Sequence, residues 1–212
     1  MNDIKEKDWS RHEKIPYADG RQRCSWADPG DPLYIEYHDH EWGVPLHDDR
    51  KLFELLILEG FQAGLSWKCV LHKREAMRRA FDGFDPEKLA AYDEKKTEEL
   101  MLDPSIIRNR RKIEAASGNA RAFLEIRNEY GSFDRFLWDL CGGRVIYETG
   151  LTKSPLSDAV SAELRKRGMK FVGTTIIYAY LQAAGIINSH DPGCFLHDGS
   201  GDGRQKKLSE IK

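Results

Sequence analysis

The chain has 212 residues, 40% hydrophobic and 10% aromatic, enough for one large domain or two small ones with a sizeable core. Its 33 Lys and Arg against 35 Asp and Glu leave a net charge of −2, which excludes a histone-like polycation; a nucleic-acid partner would need a local basic face. No apolar run approaches the roughly 18 residues of a membrane span, and the 4 cysteines read as reduced thiols or metal ligands rather than a disulfide framework.

Residues 1–20 read as a flexible N-terminal tail. Their start, MNDIKEKDWSRHEK, is polar and carries acids, unlike a secretory signal or transit peptide, so the expected compartment is the cytoplasm. A single domain is expected over 21–195. It opens with RCSW at 23–26, followed by the turn chemistry of ADPGDP. LYIEYHDHEWGVP is rich in aromatic and imidazole groups, and Asp28 to Pro32 before Leu33 suits a short helix.

The chain is organised around residues 52–67, LFELLILEGFQAGLSW. Asp48 or Asp49 is a plausible N-cap. At about 100° per residue, Leu52, Leu55, Leu56, Glu59 and Ala63 share one face of an amphipathic helix. A carboxylate in a stripe that should be buried is costly unless paired or used. Gly60 and Gly64 weaken the helix where the Trp67 indole is presented, which suits a pocket for a flat, polar or cationic ring. Alternatively, Glu59 turns at the helix end to cap an amide or pair with an Arg.

After Trp67, KCVLHKREAMRRAFDGF reads as a second helix ending near Gly83. Asp85-Pro86-Glu87 opens a third that continues through KLAAYDEKKTEELML. Asp103-Pro104-Ser105 precedes a fourth over 106–131, and Ser132 caps FDRFLWDLC. Gly142 to Lys153 reads as a loop, Ser157 opens DAVSAELRKRG, and TTIIYAYLQAAG is the last helix. Apolar spacing of three and four nearly throughout predicts an all-α domain. Residues 196–212 read as a flexible C-terminal tail.

Two constellations carry chemistry. Cys24 and His38 near the start, with His190 and Cys194 near the end, can give a tetrahedral zinc site that staples the two ends together. The alternative is four unrelated residues. His40, His47 and His197 are spare imidazoles, and Cys69 and Cys141 suit packing. The second is a helix, glycine turn and helix over about 158–185, with Thr174 or Thr175 capping the second helix. Its turn, Gly168 to Gly173, and the basic Arg165, Lys166, Arg167 and Lys170 suit a DNA phosphate. The alternative is an ordinary αα-hairpin. The basic run Arg108 to Lys112 reads as a solvated helix face.

Together these motifs resemble the type I DNA-3-methyladenine glycosylases, bacterial base-excision repair enzymes in a divergent branch of the helix-hairpin-helix glycosylases. The landmarks are RCSW, DPLYIEYHDHEWGVP, LEGFQAGLSW, IIRNRRKI, GNARAF, KFVGTTIIY and AAGIINSH, in fixed order over about 23–194. The resemblance implies a helix-hairpin-helix glycosylase fold and one structural zinc on Cys24, His38, His190 and Cys194. It implies a base pocket of Glu59, Tyr37 and Trp67, with Trp26, Tyr34 and Trp42 close by. The expected reaction is monofunctional hydrolysis of flipped 3-methyladenine from alkylated double-stranded DNA by a monomer. Glu59 is the catalytic candidate. Leu65, exposed by the Gly64 break, is a candidate wedge, and Lys170, Gly173 and Thr174 are candidate DNA contacts. The family lacks its superfamily's catalytic Asp, so Asp191 takes no such role. The rivals are a non-enzymatic zinc-stapled DNA-binding module and a zinc hydrolase of small substrates.

Overall fold

The computed structural model describes residues 17–197 and the backbone of 205–207. Residues 1–16 and the rest of the C-terminal segment lie outside the described residues, as do the parts of both tail expectations that fall on them. The helices are α1 (Pro32–His40), α2 (Asp49–Gln62), α3 (Trp67–Ala80), α4 (Pro86–Ala90), α5 (Glu94–Leu102), α6 (Arg110–Tyr130), α7 (Phe133–Leu140), α8 (Pro155–Lys166) and α9 (Thr174–Ala183). Three short strands accompany them: β1 (Arg144–Tyr147), β2 (Ile187–Asn188) and β3 (Gln205–Lys207).

Helix α2 is the centre of the core. It starts at Asp48, whose side chain accepts from the Lys51 amide. All positions from Leu52 to Phe61 are buried, so α2 is enclosed on every face rather than along one stripe. It packs against α3, α6, α7 and α9. Phe53 meets Phe123 at 4.8 Å between ring centroids, and Phe61 meets Phe81 at 5.6 Å. The one other acid of this stretch, Glu54, pairs with Arg78.

Several local expectations are corrected. The third helix is two, because Asp93 turns its side chain onto the Lys96 amide and restarts the chain as α5. Ser154 caps α8, and Ser157 closes the capping box behind it. Gly173 takes the N-cap of α9, and neither Thr174 nor Thr175 caps it; the Thr174 hydroxyl lies 2.8 Å from Ser157 Oγ instead. The fold is mostly helical rather than all-α. Strand β1 runs through the expected Gly142–Lys153 loop and pairs parallel with β2 and antiparallel with β3. The C-terminal segment is therefore structured at Gln205–Lys207. The expected N-terminal tail also ends earlier: the Tyr17 hydroxyl donates to the Ala27 carbonyl, and Asp19 pairs with Arg23.

The two ends meet beside α9. The Gly43 amide donates to the Gln182 carbonyl, and the Leu46 amide to that of Ala184. Gly185, at φ +68°, lies so close that an added Cβ would sit 2.2 Å from the Val44 carbonyl carbon. Only glycine fits there. No described helix is long and apolar enough to cross a membrane.

Candidate base pocket and metal centre

A cavity of about 290 Å³ opens where α1, α2, α3 and the end of α9 converge. Glu59 comes from α2, Tyr34 and Tyr37 from α1, and Trp67 from the first position of α3, which Ser66 caps. Trp26 and Trp42 complete the aromatic wall. All six pocket residues expected from the sequence therefore line one space. Trp26 meets Trp42 at 5.0 Å and Tyr34 at 5.2 Å, both edge-on, while Tyr37 and Trp67 lie 5.2 Å apart.

Glu59 is 2% exposed, and its Oε2 has no hydrogen-bond partner. Burial alone pushes its carboxyl up to about 8, so it is largely the neutral acid at pH 7. This carboxyl oxygen neither caps an amide nor pairs with an Arg. Gln62 Oε1 and Trp67 Nε1 on the same walls are likewise buried without partners. One carboxyl oxygen, one amide oxygen and one indole N–H thus remain for a ligand. Burial, and then Glu59, raise the Tyr37 phenol well above its ordinary range.

Gln62, Gln182, Ser189, Asp191, Gly150 and Leu151 also line the cavity. Gln62 was findable, three residues after Glu59 on the same helix face. The others arrive by tertiary packing and carry no local signal. Gly64 and Leu65 lie outside the cavity on the α2–α3 connection, where Gly64 adopts φ +77° and Leu65 is 43% exposed. Lys170 and Gly173 line a separate hollow with Arg111 and Arg165.

Cys24, His38, His190 and Cys194 are all buried, with ligating atoms within 4.8 Å of one another. His190 Nδ1 is 3.4 Å from Cys24 Sγ and 3.6 Å from Cys194 Sγ, and His38 Nε2 is 3.5 Å from Cys194 Sγ. His38 Nδ1 faces Asp39 at 2.8 Å, which makes Nε2 the acceptor nitrogen; it faces the cluster and accepts from the Cys24 amide at 3.2 Å. Arg23 holds both oxygens of Asp39. The Asp191 and Leu196 amides donate to the Cys24 and Cys194 sulfurs. Burial pushes His190 down to about 4 and the Cys24 thiol up. His40, His47, His197, Cys69 and Cys141 are not in the cluster. The cluster abuts the cavity wall: His38 lies 5.1 Å from Trp26, and His190 lies 4.7 Å from Trp42.

Residues 26–197 match the family model described as methyladenine glycosylase. The chain is 49% identical over 185 residues to DNA-3-methyladenine glycosylase 1 of Escherichia coli (strain K12), covering 84% of this chain and 98% of that protein. A crystal structure of 3-methyladenine DNA glycosylase I superposes with a TM-score of 0.80 at 49% identity, over 83% of this chain and all of that one. A variant of 3-methyladenine DNA glycosylase I, solved in complex with 3-methyladenine, superposes at 0.78 with 37% identity, over 81% of this chain and 95% of that one. The chain belongs to the methyladenine glycosylase family.

Proposed function

We infer that this chain is a DNA-3-methyladenine glycosylase, which hydrolyses the N-glycosidic bond of a flipped 3-methyladenine in alkylated duplex DNA. The observation that carries the reading is the buried, partner-free Glu59 oxygen inside an aromatic cavity of about 290 Å³, large enough to admit a base. Membership of the family and the base bound by a relative of similar fold support it.

Alkylation at N3 makes adenine a cation and a good leaving group, so selection and extrusion are the protein's main tasks. Flipping costs a few kcal/mol. Stacking on Trp67 returns roughly 1–3 kcal/mol, and a cationic ring adds about 0.5–2 kcal/mol. Glu59 accepts a hydrogen bond from the exocyclic amine. The positive ring lowers its pKa, so the carboxylate forms when the lesion is bound and favours it over neutral adenine. Tyr37, Trp26, Tyr34 and Trp42 complete the enclosure. Leu65 fills the space the base leaves, with Gly64 allowing its loop to approach. In the α8–α9 helix-hairpin-helix, the N-terminal amides of α9, which have no side-chain cap, meet a phosphate at Gly173 and Thr174, with Lys170 beside them. The lining residues include no lysine for a Schiff base, which supports a monofunctional enzyme leaving free 3-methyladenine as product.

Cys24, His38, His190 and Cys194 would hold one structural zinc ion. Zinc bound tetrahedrally, with bonds of about 2.3 Å to sulfur and 2.0–2.1 Å to nitrogen, puts sulfur and nitrogen about 3.5 Å apart. The three sulfur–nitrogen separations given above match that spacing. Four buried protein ligands form a closed set, which supports a staple and counts against a zinc hydrolase.

The test is chromatography of bases freed from methylated duplex DNA. Wild-type protein should release 3-methyladenine and leave 7-methylguanine in place. A folded protein that binds the duplex and frees no base would favour the rival reading, a zinc-stapled DNA-binding module.

A further inference from the structure

Two side chains on α6 have no part in the reading above, yet each is spent on backbone at a segment that reading assigns to DNA. Lys112 is 7% exposed. Its ammonium donates to the Phe61 carbonyl at 2.8 Å and the Ala63 carbonyl at 2.6 Å. These carbonyls close α2, where its last acceptors are otherwise orphaned and the helix dipole is negative. Leu65 follows two residues later. Asn119, 4% exposed, makes a reciprocal pair with the main chain of Lys170. Its Nδ2 donates to the Lys170 carbonyl at 2.9 Å, and its Oδ1 accepts from the Lys170 amide at 2.8 Å. Lys170 begins the run to Gly173 that leads into α9.

The two clamps meet at Phe171. That residue has φ +57°, a conformation that non-glycine residues hold only where their surroundings fix it. Its ring lies 6.0 Å from the Lys112 ammonium, and its Cβ lies 3.4 Å from where a Cβ on Gly60 would sit. Gly60 is the residue after Glu59. Lys112 and Asn119 are seven residues apart, two turns along one face of α6. A single rigid helix thus grips the base-pocket end of α2 and the hairpin turn at once.

We propose that Lys112 and Asn119 are positioning residues that fix the register between the phosphate-binding turn and the base pocket. This inference rests on the proposed function. With the register set, a duplex anchored at Gly173 presents its extruded base at Glu59. With either clamp cut, the pocket and the anchor each survive but no longer serve one nucleotide.

The test compares Lys112→Met and Asn119→Ala with wild type in two assays. One is titration of free 3-methyladenine, followed by tryptophan fluorescence. The other is steady-state release from methylated duplex. Each variant should bind the free base with wild-type affinity and lose between about tenfold and a hundredfold in release. For Asn119→Ala the loss should lie mainly in KM, with a smaller slope of log KM against log salt. For Lys112→Met it should lie mainly in kcat. If Asn119→Ala fails to fold, Asn119→Ser is read the same way, since its shorter side chain cannot span both the Lys170 carbonyl and the Lys170 amide and adds no charge. Release at the wild-type rate would overturn the inference. So would parallel loss of free-base binding and release, which marks simple structural support. Absence of release by wild type itself would instead refute the proposed function.

Discussion

Glu59 folds into its cavity as a neutral acid, and this gives it a signature in stability as well as in activity. In the unfolded chain the carboxyl ionises near its usual value of about 4.3. In the folded protein burial holds it protonated up to about 8. Between those values the native state binds the extra proton, so this group's contribution to stability falls as pH rises and levels off above about 8. Glu59→Gln removes that dependence. The variant should match wild type near pH 4 and exceed it at pH 8.5 by a few kcal/mol, roughly 5–10 °C in melting temperature. Thermal melts at the two pH values check it; a difference that does not change with pH would mean the carboxyl is not desolvated. At this scale the sequence was informative where a residue broke its own pattern. Glu59 stands out among apolar neighbours, and the aromatic density of 33–45 marked Tyr34, Tyr37 and Trp42. Lys112 was misread as part of a solvated run, because Arg110, two residues away, does sit in the exposed ion pairs with Glu94 and Glu98 that such a run suggests. Its burial depends on the Phe61 and Ala63 carbonyls, 51 and 49 residues away in the chain.

Among elements, the break between α2 and α3 carries an exposed apolar side chain beside the pocket residue Trp67. Its Leu65 is 43% exposed and belongs to no core contact that a shorter side chain would empty. Leu65→Ala should therefore change stability by less than about 0.5 kcal/mol. Release from an intact duplex should fall about tenfold, because filling the vacated stack offsets part of the flipping cost. An unpaired target base should recover most of that loss. Equal loss on both substrates, measured by the same base-release assay, would assign Leu65 to the pocket instead of the stack. Helix positions and most caps were legible from periodicity and Asp or Ser punctuation. The strands were not: β1 has four residues and β2 two, too short for an alternating pattern to show. Their pairing is a product of the ends meeting, as is the arrival of Ser189 and Asp191 at the cavity.

At the scale of the whole molecule, the ends are held by two independent devices. One is the close backbone approach of Gly185 to Val44 and Pro45. The other is the four-residue Cys and His cluster, whose imidazoles support the Trp26 and Trp42 wall of the cavity. Elemental analysis should find one zinc per chain. Its removal by a chelator should lower the melting temperature by several degrees and weaken free-base binding without unfolding the protein, since α2 is enclosed by α3, α6, α7 and α9 whether or not the metal is bound. A chain that binds base equally well after chelation would show that the wall stands without the metal. The four-residue cluster was legible because Cys and His are rare and sit at both ends; its contact with the pocket was not, because His190 reaches Trp42 by ring packing between segments far apart in the chain. The central claim is that the Glu59 carboxylate selects and releases the alkylated base. The most direct measurement is the rate of 3-methyladenine release from methylated duplex DNA by wild type beside Glu59→Gln, with both shown to be folded. A loss of about a hundredfold or more in the variant, with duplex binding retained, is the predicted result. Equal rates from the two proteins would contradict the account.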